Sequence, residues 1–413
     1  MKFFQTSIFI KSLLFLVLPA WLGAAEFHVS KSWELAVALK KAANNGSDDT
    51  IFLSAGIYSG NFGYVGDTSD NEKSLTIRAE KGLRTEDVII NDCLIVASAK
   101  YNSNSKVTFK NMTLKYTGLR IFSINFEISY CIIKNTNNRY DSILLSQKKV
   151  LFTNNFIYNN QLFNITFDRR HDKSQILIEK NFFINNHNKE MFSFFYFDVS
   201  NYGNIQIKNN IFVNNTVDSS FVSGYLKNTV FRNNTFSKNN FELLVETYGS
   251  DKSQVIFNNN IFDEENLIDS NFNSYNNFYY NSQNNTPQFI NPEKNDFRLH
   301  PSSPCIDAGT NENISYTETD IEGSPRISNG TVDIGAYEFS TSRIHPADIN
   351  NNWIIESEEF TAYNSAWKNS ETWAIYPNEI PAEYVTRCGF LLKKGGRYKD
   401  VGLSLPLCWV PDN

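Results

Sequence analysis

Four acidic side chains recur at similar places in the middle of the chain and are the first candidates for catalysis. Asp141, Asp168, Asp198 and Glu246 each lie seven to nine residues before a stretch of alternating apolar residues. If successive stretches pair as neighbouring strands, their side chains lie ~5 Å apart. Glycoside hydrolases need two carboxyl groups ~5–5.5 Å apart for retention or ~6.5–9.5 Å apart for inversion. The pattern therefore raises the hypothesis of a site that cleaves polysaccharide.

Basic side chains beside the second of these carboxylates extend the candidate site. The stretch "DRRHDK" begins at Asp168 and contains Arg169 and His171. A histidine or arginine next to carboxylates can act as a base or bind an acidic sugar. The catalytic hypothesis therefore comprises Asp168, Arg169, His171, Asp198 and Glu246. The alternative is that these are solvated loop charges, because structural charge networks imitate active sites.

A twelve-residue stretch near the C-terminus, "DINNNWIIESEE", follows the ligand order of a calcium-binding loop. Trp353 stands where glycine normally makes the sharp turn, so the backbone must absorb strain there. Three carboxylates predict weak, structural binding of Ca²⁺, and the alternative is a polar turn that precedes a helix. The ligand positions are Asp348, Asn350, Asn352, Ile354 through its backbone carbonyl, Glu356 and Glu359.

A repeated segment supplies the framework for these candidates. Each unit opens with an apolar–x–apolar pattern, continues with two polar residues that are mostly Asn, and ends in a second apolar stretch. Alternation with a period of two is typical of a half-buried strand. Repeats of about 20 to 50 residues indicate a stacked architecture. The units begin at Val107, Phe126, Val150, Ile176, Ile205, Thr229 and Val255.

The repeat predicts an all-β fold, a right-handed parallel β-helix in which each coil contributes two or three short strands. Asn tolerates the left-handed backbone conformation that a corner between strands requires. Equivalent Asn side chains of successive coils are expected to form an inward ladder of hydrogen-bonded amides. Residues 32–45 are predicted to form an amphipathic helix that begins at Ser32 and covers the N-terminal end of the core. The ladder positions are Asn155, Asn181, Asn210, Asn234 and Asn260.

The N-terminus has the residue order of a secretory signal peptide. Lys2 and Lys11 precede an apolar run, "SLLFLVLPAWL", which is followed by the small residues "GAA", so cleavage is expected after Ala25. A membrane anchor is the alternative, but the run is short for a span of ~20 residues. We therefore expect an exported protein, secreted or on the cell surface, with no membrane span in the mature chain.

Composition narrows the class of protein further. The net charge is −6 and no run rich in Lys or Arg stands out, which argues against nucleic acid as a partner. Aromatic residues reach 15%, with 34 Phe, and favour strands over helices. Cys388 and Cys408 could form a disulfide in an oxidising compartment. Cys93, Cys131 and Cys305 are expected to be buried thiols.

The stretch "SWELAVALKKAANNGSDDTIFLSAGIYSG" resembles the N-terminal cap of secreted bacterial right-handed β-helix proteins of the pectin-lyase-like superfamily. "DFRLHPSSPCIDAGTN" and "TDIEGSPRISNGTVDIGAYEF" resemble an ending these proteins share, a choice-of-anchor module, with Cys305 where a small residue is usual. The segment with the predicted calcium loop and "IPAEYVTRCGFLLKKGGRYKD" is similar to dockerin- or EF-hand-like modules. These resemblances imply a fold and an extracellular location, not a reaction. The expected division is a signal peptide at 1–25, a β-helix at 26–290, its ending at 291–339 and a dockerin/EF-hand-like module at 340–413.

Two classes of function follow from these patterns. A regular Asn ladder and the absence of the motifs expected of pectate lyases and polygalacturonases favour a surface scaffold or adhesin that binds polysaccharide. Exposed Tyr and Phe along one face of the coils could stack on sugars. The alternative is a polysaccharide lyase or glycoside hydrolase that acts on an outer face. No nucleotide or redox motif is present, and the C-terminal segment could dock on a protein partner.

Overall fold

The computed structural model describes most of the chain between residues 24 and 412. Residues 1–23 of the predicted signal peptide lie outside the described residues. The described ranges are 24–66, 73–98, 105–122, 125–136, 143–146, 149–161, 164–167, 175–188, 193–197, 204–248, 252–263, 268, 270–280, 285–339, 344–375, 379–400 and 406–412.

Short strands make up most of the secondary structure. The first part contains β1 (Ala25–Val29), α1 (Ser32–Ala42), β2 (Asp49–Leu53), β3 (Gly56–Tyr58), β4 (Phe62–Val65), β5 (Ser74–Ala79), β6 (Val88–Ser98), β7 (Lys106–Lys110) and β8 (Thr113–Phe122). The middle contains β9 (Asn125–Ser129), β10 (Ile132–Lys134), β11 (Ile143–Ser146), β12 (Lys149–Thr153), β13 (Phe156–Tyr158), β14 (Ile165–Phe167), β15 (Gln175–Glu179), β16 (Phe182–Ile184), β17 (His187–Asn188), β18 (Ser193–Phe197), β19 (Asn204–Lys208), β20 (Ile211–Val213), β21 (Thr216–Val217), β22 (Ser220–Gly224), β23 (Thr229–Arg232), β24 (Thr235–Ser237) and β25 (Leu243–Thr247). The last part contains β26 (Val255–Asn258), β27 (Ile261–Phe262), β28 (Asn273–Tyr275), β29 (Phe278–Tyr279), β30 (Phe289–Asn291), β31 (Asp296–Leu299), α2 (Ser357–Lys368), α3 (Ala382–Lys393), β32 (Tyr398–Asp400) and β33 (Trp409–Pro411). Short 3-10 turns lie at Thr85–Asp87, Lys252–Gln254 and Pro292–Lys294.

Most of these strands stack in register into two parallel sheets. The first, called the long sheet, runs through β1, β2, β5, β7, β9, β12, β15, β19, β23, β26 and β28. The second branches at the long strands β6 and β8. One branch continues from β8 through β10, β13, β16, β20, β24, β27 and β29, and the other through β11, β14, β18, β22 and β25. The chain is therefore all-β in its main body, with stacked coils that are consistent with a parallel β-helix.

The predicted repeat is confirmed strand by strand in the long sheet. The seven predicted unit starts form one row of paired residues across β7, β9, β12, β15, β19, β23 and β26. Successive residues alternate between core and surface, as period-two patterning requires. In β19, Ile205 and Ile207 are buried, whereas Gln206 between them is half-buried on the outer side. The outer row of each strand is thus available to line a surface site.

Asn side chains fill two corners of the coils. In the predicted ladder each Asn Nδ2 donates to the next Asn Oδ1 at 2.9 to 3.0 Å, which confirms it, and the ladder extends to Asn277. The residue before a ladder position takes the left-handed conformation, as Asn209 does before Asn210. The two adjacent Asn residues therefore have different roles. Asn209 turns the chain, and Asn210 forms hydrogen bonds with buried polar groups. A second ladder, which the sequence analysis missed, joins Asn160, Asn186, Asn215 and Asn239 at 2.8 to 2.9 Å.

Stacked aromatic rings fill the interior between the sheets. Four phenylalanines of successive coils form a column with ring centroids 4.7 to 5.0 Å apart, close to the spacing of neighbouring strands. One inward position is therefore occupied by phenylalanine in four successive coils. The column consists of Phe183, Phe212, Phe236 and Phe262.

Helix α1 covers the first coils, as the sequence predicts, although it ends at Ala42 rather than at residue 45. Its buried face includes Leu35 and Leu39. The Glu34 carboxylate accepts the backbone N–H of Lys31 at 3.1 Å, which satisfies a donor at the start of the helix. Within the described residues, no helix is both long and apolar enough to cross a membrane.

A segment near the end of the main body, called the strap (residues 307–339), lies along one corner of the coils. Side chains at the left-handed turn positions of four coils donate hydrogen bonds to it. The strap therefore connects four successive coils, all of which come well before it in the sequence. The contacts run from Lys180 and Asn209 to Thr319, from Asn233 to Asp333, and from Asn259 to Thr310.

The described residues between 344 and 412 form the C-terminal module, in which α2 packs on α3 and β32 pairs with β33 in the antiparallel direction. Arg298 of β31 joins this module to the main body. Its guanidinium lies 4.9 Å from the centre of the Trp353 ring and donates to the Tyr398 carbonyl at 3.4 Å. Favourable cation–π geometry of this kind holds the module against the end of the rod.

All five cysteines are buried free thiols in this structure. That result confirms the expectation for Cys93, Cys131 and Cys305. The disulfide considered for Cys388 and Cys408 is absent from it, although both side chains belong to the hydrophobic core of the C-terminal module. Burial raises the pKa of the Cys388 thiol to about 12, so that side chain is a packed neutral group.

Candidate functional site

The predicted catalytic residues fall largely outside the described part of the chain. The structure does not describe four of them: Asp168, Arg169, His171 and Asp198. Their convergence therefore stays a hypothesis.

Glu246 is described, and it lies half-buried on β25. Its Oε2 accepts the hydroxyl of Ser220 at 3.1 Å and the phenol of Tyr248 at 3.3 Å. Burial raises the pKa of Tyr248, and the nearby Glu246 charge adds to this shift. The phenol therefore stays protonated near neutral pH and can keep donating to the carboxylate.

A groove of about 510 Å³ lies on the outer side of the long sheet. Its floor is one row of outward side chains, Gln206, Val230 and Ile256, which are paired neighbours on β19, β23 and β26. All three are half-buried. Because neighbouring strands are ~4.8 Å apart, this floor extends over about 10 Å along the rod. The two branched side chains give it an apolar centre.

Amide side chains surround this apolar floor. Asn204 and Gln254 lie at the end where the strands begin, and Asn258 lies at the end where they finish. Tyr275 of β28 lies beside Asn258 in the same row of paired residues. Burial raises the pKa of Tyr275, so its phenol is neutral and can donate a hydrogen bond near neutral pH.

The strap forms one wall of the groove. Both Oε atoms of Glu318 accept from Arg232, at 2.9 and 3.0 Å, and the Asn313 carbonyl accepts from the same guanidinium. The Lys208 ammonium lies 3.5 Å from Glu318 and 3.5 Å from Glu179. Arg232 and Lys208 are nearly buried, with 7% and 12% of their side chains exposed. Ion pairs with so little solvent around them are geometrically fixed, because few water molecules can compete for the charges.

This lining offers both hydrogen-bonding and apolar groups to a ligand. Among the described residues that line the groove there is neither a carboxylate nor a histidine. Amides both donate and accept hydrogen bonds, as sugar hydroxyls require. A flat apolar floor with an aromatic side chain at its edge can contact the C–H face of a sugar ring. The groove thus combines both kinds of contact in one place.

The twelve residues of the predicted calcium loop form a compact turn that leads into α2. Asp348 is buried, and its carboxylate accepts the backbone N–H groups of Asn352 at 3.0 Å and Trp353 at 2.9 Å. Its Oδ2 also accepts the Tyr398 hydroxyl at 2.8 Å. Trp353 has a φ of +61°, so it adopts the left-handed conformation in place of the usual glycine. Packing of its ring against Tyr398, with 5.3 Å between centroids, offsets that strain.

The closing carboxylate of the loop is positioned by backbone donors. Glu359 accepts the N–H of Ile349 at 2.9 Å through Oε1 and the N–H of Glu356 at 3.0 Å through Oε2. The Asn350 and Asn352 side-chain oxygens accept from loop amides at 3.1 and 2.8 Å. Oxygen donors of this set suit Ca²⁺. However, the described residues contain no group of three His, Cys, Asp or Glu side chains that converge to hold a metal.

The sequence analysis missed the groove. The floor could have been predicted from the repeat, because each floor residue directly follows the buried residue that starts a unit. Gln206, Val230 and Ile256 follow Ile205, Thr229 and Val255. No local pattern indicates that Glu318 would meet Arg232, because the two are 86 residues apart.

Comparisons with known proteins add no assignment. No protein-family model matches the chain, and no curated protein matches it.

Proposed function

We propose that this chain is an exported, right-handed β-helix protein that binds polysaccharide in the groove on its long sheet. One observation carries the proposal: an apolar floor of Val230 and Ile256 is bordered by amide side chains and by Tyr275. The residue order of the N-terminus supports export. The sequence resemblances to pectin-lyase-like and dockerin-like proteins support an extracellular setting.

Retention on immobilised glycans tests this proposal. The purified mature protein is applied to a panel of polysaccharides, and Tyr275→Ala is compared with Tyr316→Ala. Tyr316 is a matched control because its side chain is 84% exposed and does not line the groove. We expect about tenfold weaker binding for Tyr275→Ala, from the loss of one aromatic contact, and unchanged binding for the control. Equal binding by both variants, or no retention on any glycan, would refute the proposal.

The same incubations address the alternative function. New reducing ends or unsaturated uronate ends in the presence of the protein would indicate a hydrolase or lyase. Loss of product in a Glu246→Gln variant would then place the chemistry near β25 rather than in the groove. Retention without product is the result that binding predicts.

We also propose that the loop at residues 348–359 binds Ca²⁺ as a structural ion. Asp348, Asn350, Asn352, the Ile354 carbonyl, Glu356 and Glu359 would hold the ion, which would supply positive charge among these oxygens.

Thermal unfolding with calcium and with chelator tests the calcium proposal. Calcium should raise the melting temperature of the wild type and of Glu358→Gln, whose exposed side chain is not one of the proposed ligands. It should not raise that of Glu359→Gln. The absence of any calcium-dependent shift in the wild type would refute the site.

A further inference from the structure

The two cations in the groove are already neutralised by carboxylates of the protein. Lys208 and Arg232 are the basic side chains among the described lining residues. Glu318 contacts both, and Glu179 contacts Lys208 as well. Two positive charges therefore meet two negative charges at one edge of the groove. An entering ligand encounters a surface with little net charge, surrounded by amides and hydroxyl groups.

We infer that Glu318 is a specificity-determining residue, which sets the ligand class of the groove as neutral rather than acidic glycan. The inference rests on the proposed function. Glu318 occupies the positions beside Arg232 and Lys208 that a sugar carboxylate would need. An acidic sugar would therefore either meet the repulsion of Glu318 or have to displace this carboxylate, both oxygens of which accept from Arg232 Nη2 at 2.9 and 3.0 Å.

Neutral sugars match the remaining groups more closely. Gln206 and the surrounding Asn side chains can each donate to one hydroxyl and accept from another. Such contacts carry no net charge, so binding should depend little on salt. Attraction between a polyuronate and exposed cations would instead weaken steeply as the ionic strength rises.

Removing the neutralising carboxylates one at a time tests this inference. The probes are six-residue oligosaccharides: neutral gluco-, manno-, xylo- and galacto-oligomers, and an oligogalacturonate. Binding is measured by calorimetry at 20 and 300 mM salt. The variants are Glu318→Gln, which leaves Arg232 without its carboxylate partner and Lys208 with Glu179 alone, and Glu179→Gln, which leaves Lys208 with Glu318 alone and does not alter the strap. Glu293→Gln is the matched control, because it breaks the exposed pair with Lys238 by the same change of charge. Melting curves verify that each variant is folded.

The wild type should bind at least one neutral oligomer with less than a twofold effect of salt, and the oligogalacturonate at least tenfold more weakly. Glu318→Gln should gain at least tenfold affinity for the oligogalacturonate at low salt, Glu179→Gln a smaller gain, and Glu293→Gln none. Salt-dependent binding of the oligogalacturonate alone by the wild type would overturn the inference but keep the proposed function. Absence of binding to all probes would overturn both. If Glu318→Gln is unfolded, the affinity of Glu179→Gln for the oligogalacturonate decides: a gain at low salt supports the inference, and no gain overturns it.

Discussion

Removal of one ladder amide, Asn210→Ala, should destabilise the rod severely. The Nδ2 of Asn210 donates to the carbonyls of Ile178 and Lys208 at 2.8 and 2.9 Å, and to Asn234 Oδ1 at 3.0 Å. Its Oδ1 accepts both the backbone N–H and the Nδ2 of Asn181 at 3.0 Å. Because the residue is fully buried, water cannot replace these five hydrogen bonds.

The magnitude follows from this set of bonds. A net contribution of about 1 kcal/mol per hydrogen bond gives about 5 kcal/mol in total. The Nδ2 of Asn181 keeps its bond to the Phe152 carbonyl at 2.7 Å, which lowers the loss. The backbone N–H of Asn181, in contrast, is left without a partner inside the core. We therefore expect the free energy of unfolding to fall by about 3–5 kcal/mol.

Urea titration followed by circular dichroism measures this change. Asn210→Asp keeps the volume but turns a carboxylate oxygen toward two carbonyls, so it should destabilise at least as much. Asn214→Gly is the control, because Asn214 is exposed and has a φ of +51°, which glycine adopts freely. It should cost less than about 1 kcal/mol. A stable Asn210→Asp variant, or a loss below about 1 kcal/mol for Asn210→Ala, would refute the role assigned to the ladder.

Three further predictions concern single positions. Gly224→Ala should abolish folding or lower the melting temperature strongly, since a Cβ there would lie 2.0 Å from the backbone oxygen of Phe197; soluble yield and melting curves check this. Burial raises the pKa of Glu338 well above 4.5, so the folded state favours the protonated carboxyl group. The stability that this gives is complete at low pH and is lost as the pH rises. Glu338→Gln should therefore reduce the fall in stability between pH 5 and pH 8 in urea titrations. Burial lowers the pKa of His345 to about 4, so its contribution is complete above pH 6.5 and is lost on acidification. Tryptophan fluorescence should report a lower melting temperature at pH 4.5 than at pH 7, and a smaller difference in His345→Gln.

The rod could be predicted because its determinants are local and recur. A buried Ile or Val at every second position and an Asn pair at each corner are visible in the sequence without any partner. The sequence does not show, however, that the two residues of a pair differ in structure. Asn209 adopts the left-handed conformation, whereas the Asn210 side chain is buried in the core. The second ladder was not predicted because its Asn residues follow the second apolar stretch of each unit, beyond the pattern that defines the repeat.

The groove could not be predicted in full, because its wall comes from a distant part of the chain. Gln206 and Val230 are fixed by the repeat, whereas Glu318 reaches Arg232 only after the strap has folded back along the coils. Pairing over such a distance leaves no periodic signal in a single sequence. The proposed calcium loop is the opposite case, since all of its proposed ligands lie within twelve residues.

The strap gives the rod a mechanical property that stacked coils alone lack. In a simple solenoid each coil contacts its neighbours, so tension along the axis can detach the coils one after another from an end. Here the strap is hydrogen-bonded to four successive coils, through Lys180, Asn209, Asn233 and Asn259. The coils that it crosses cannot separate from one another until that segment has been peeled away. Resistance to stretching should therefore be concentrated in these coils, next to the groove that would hold a tethered glycan.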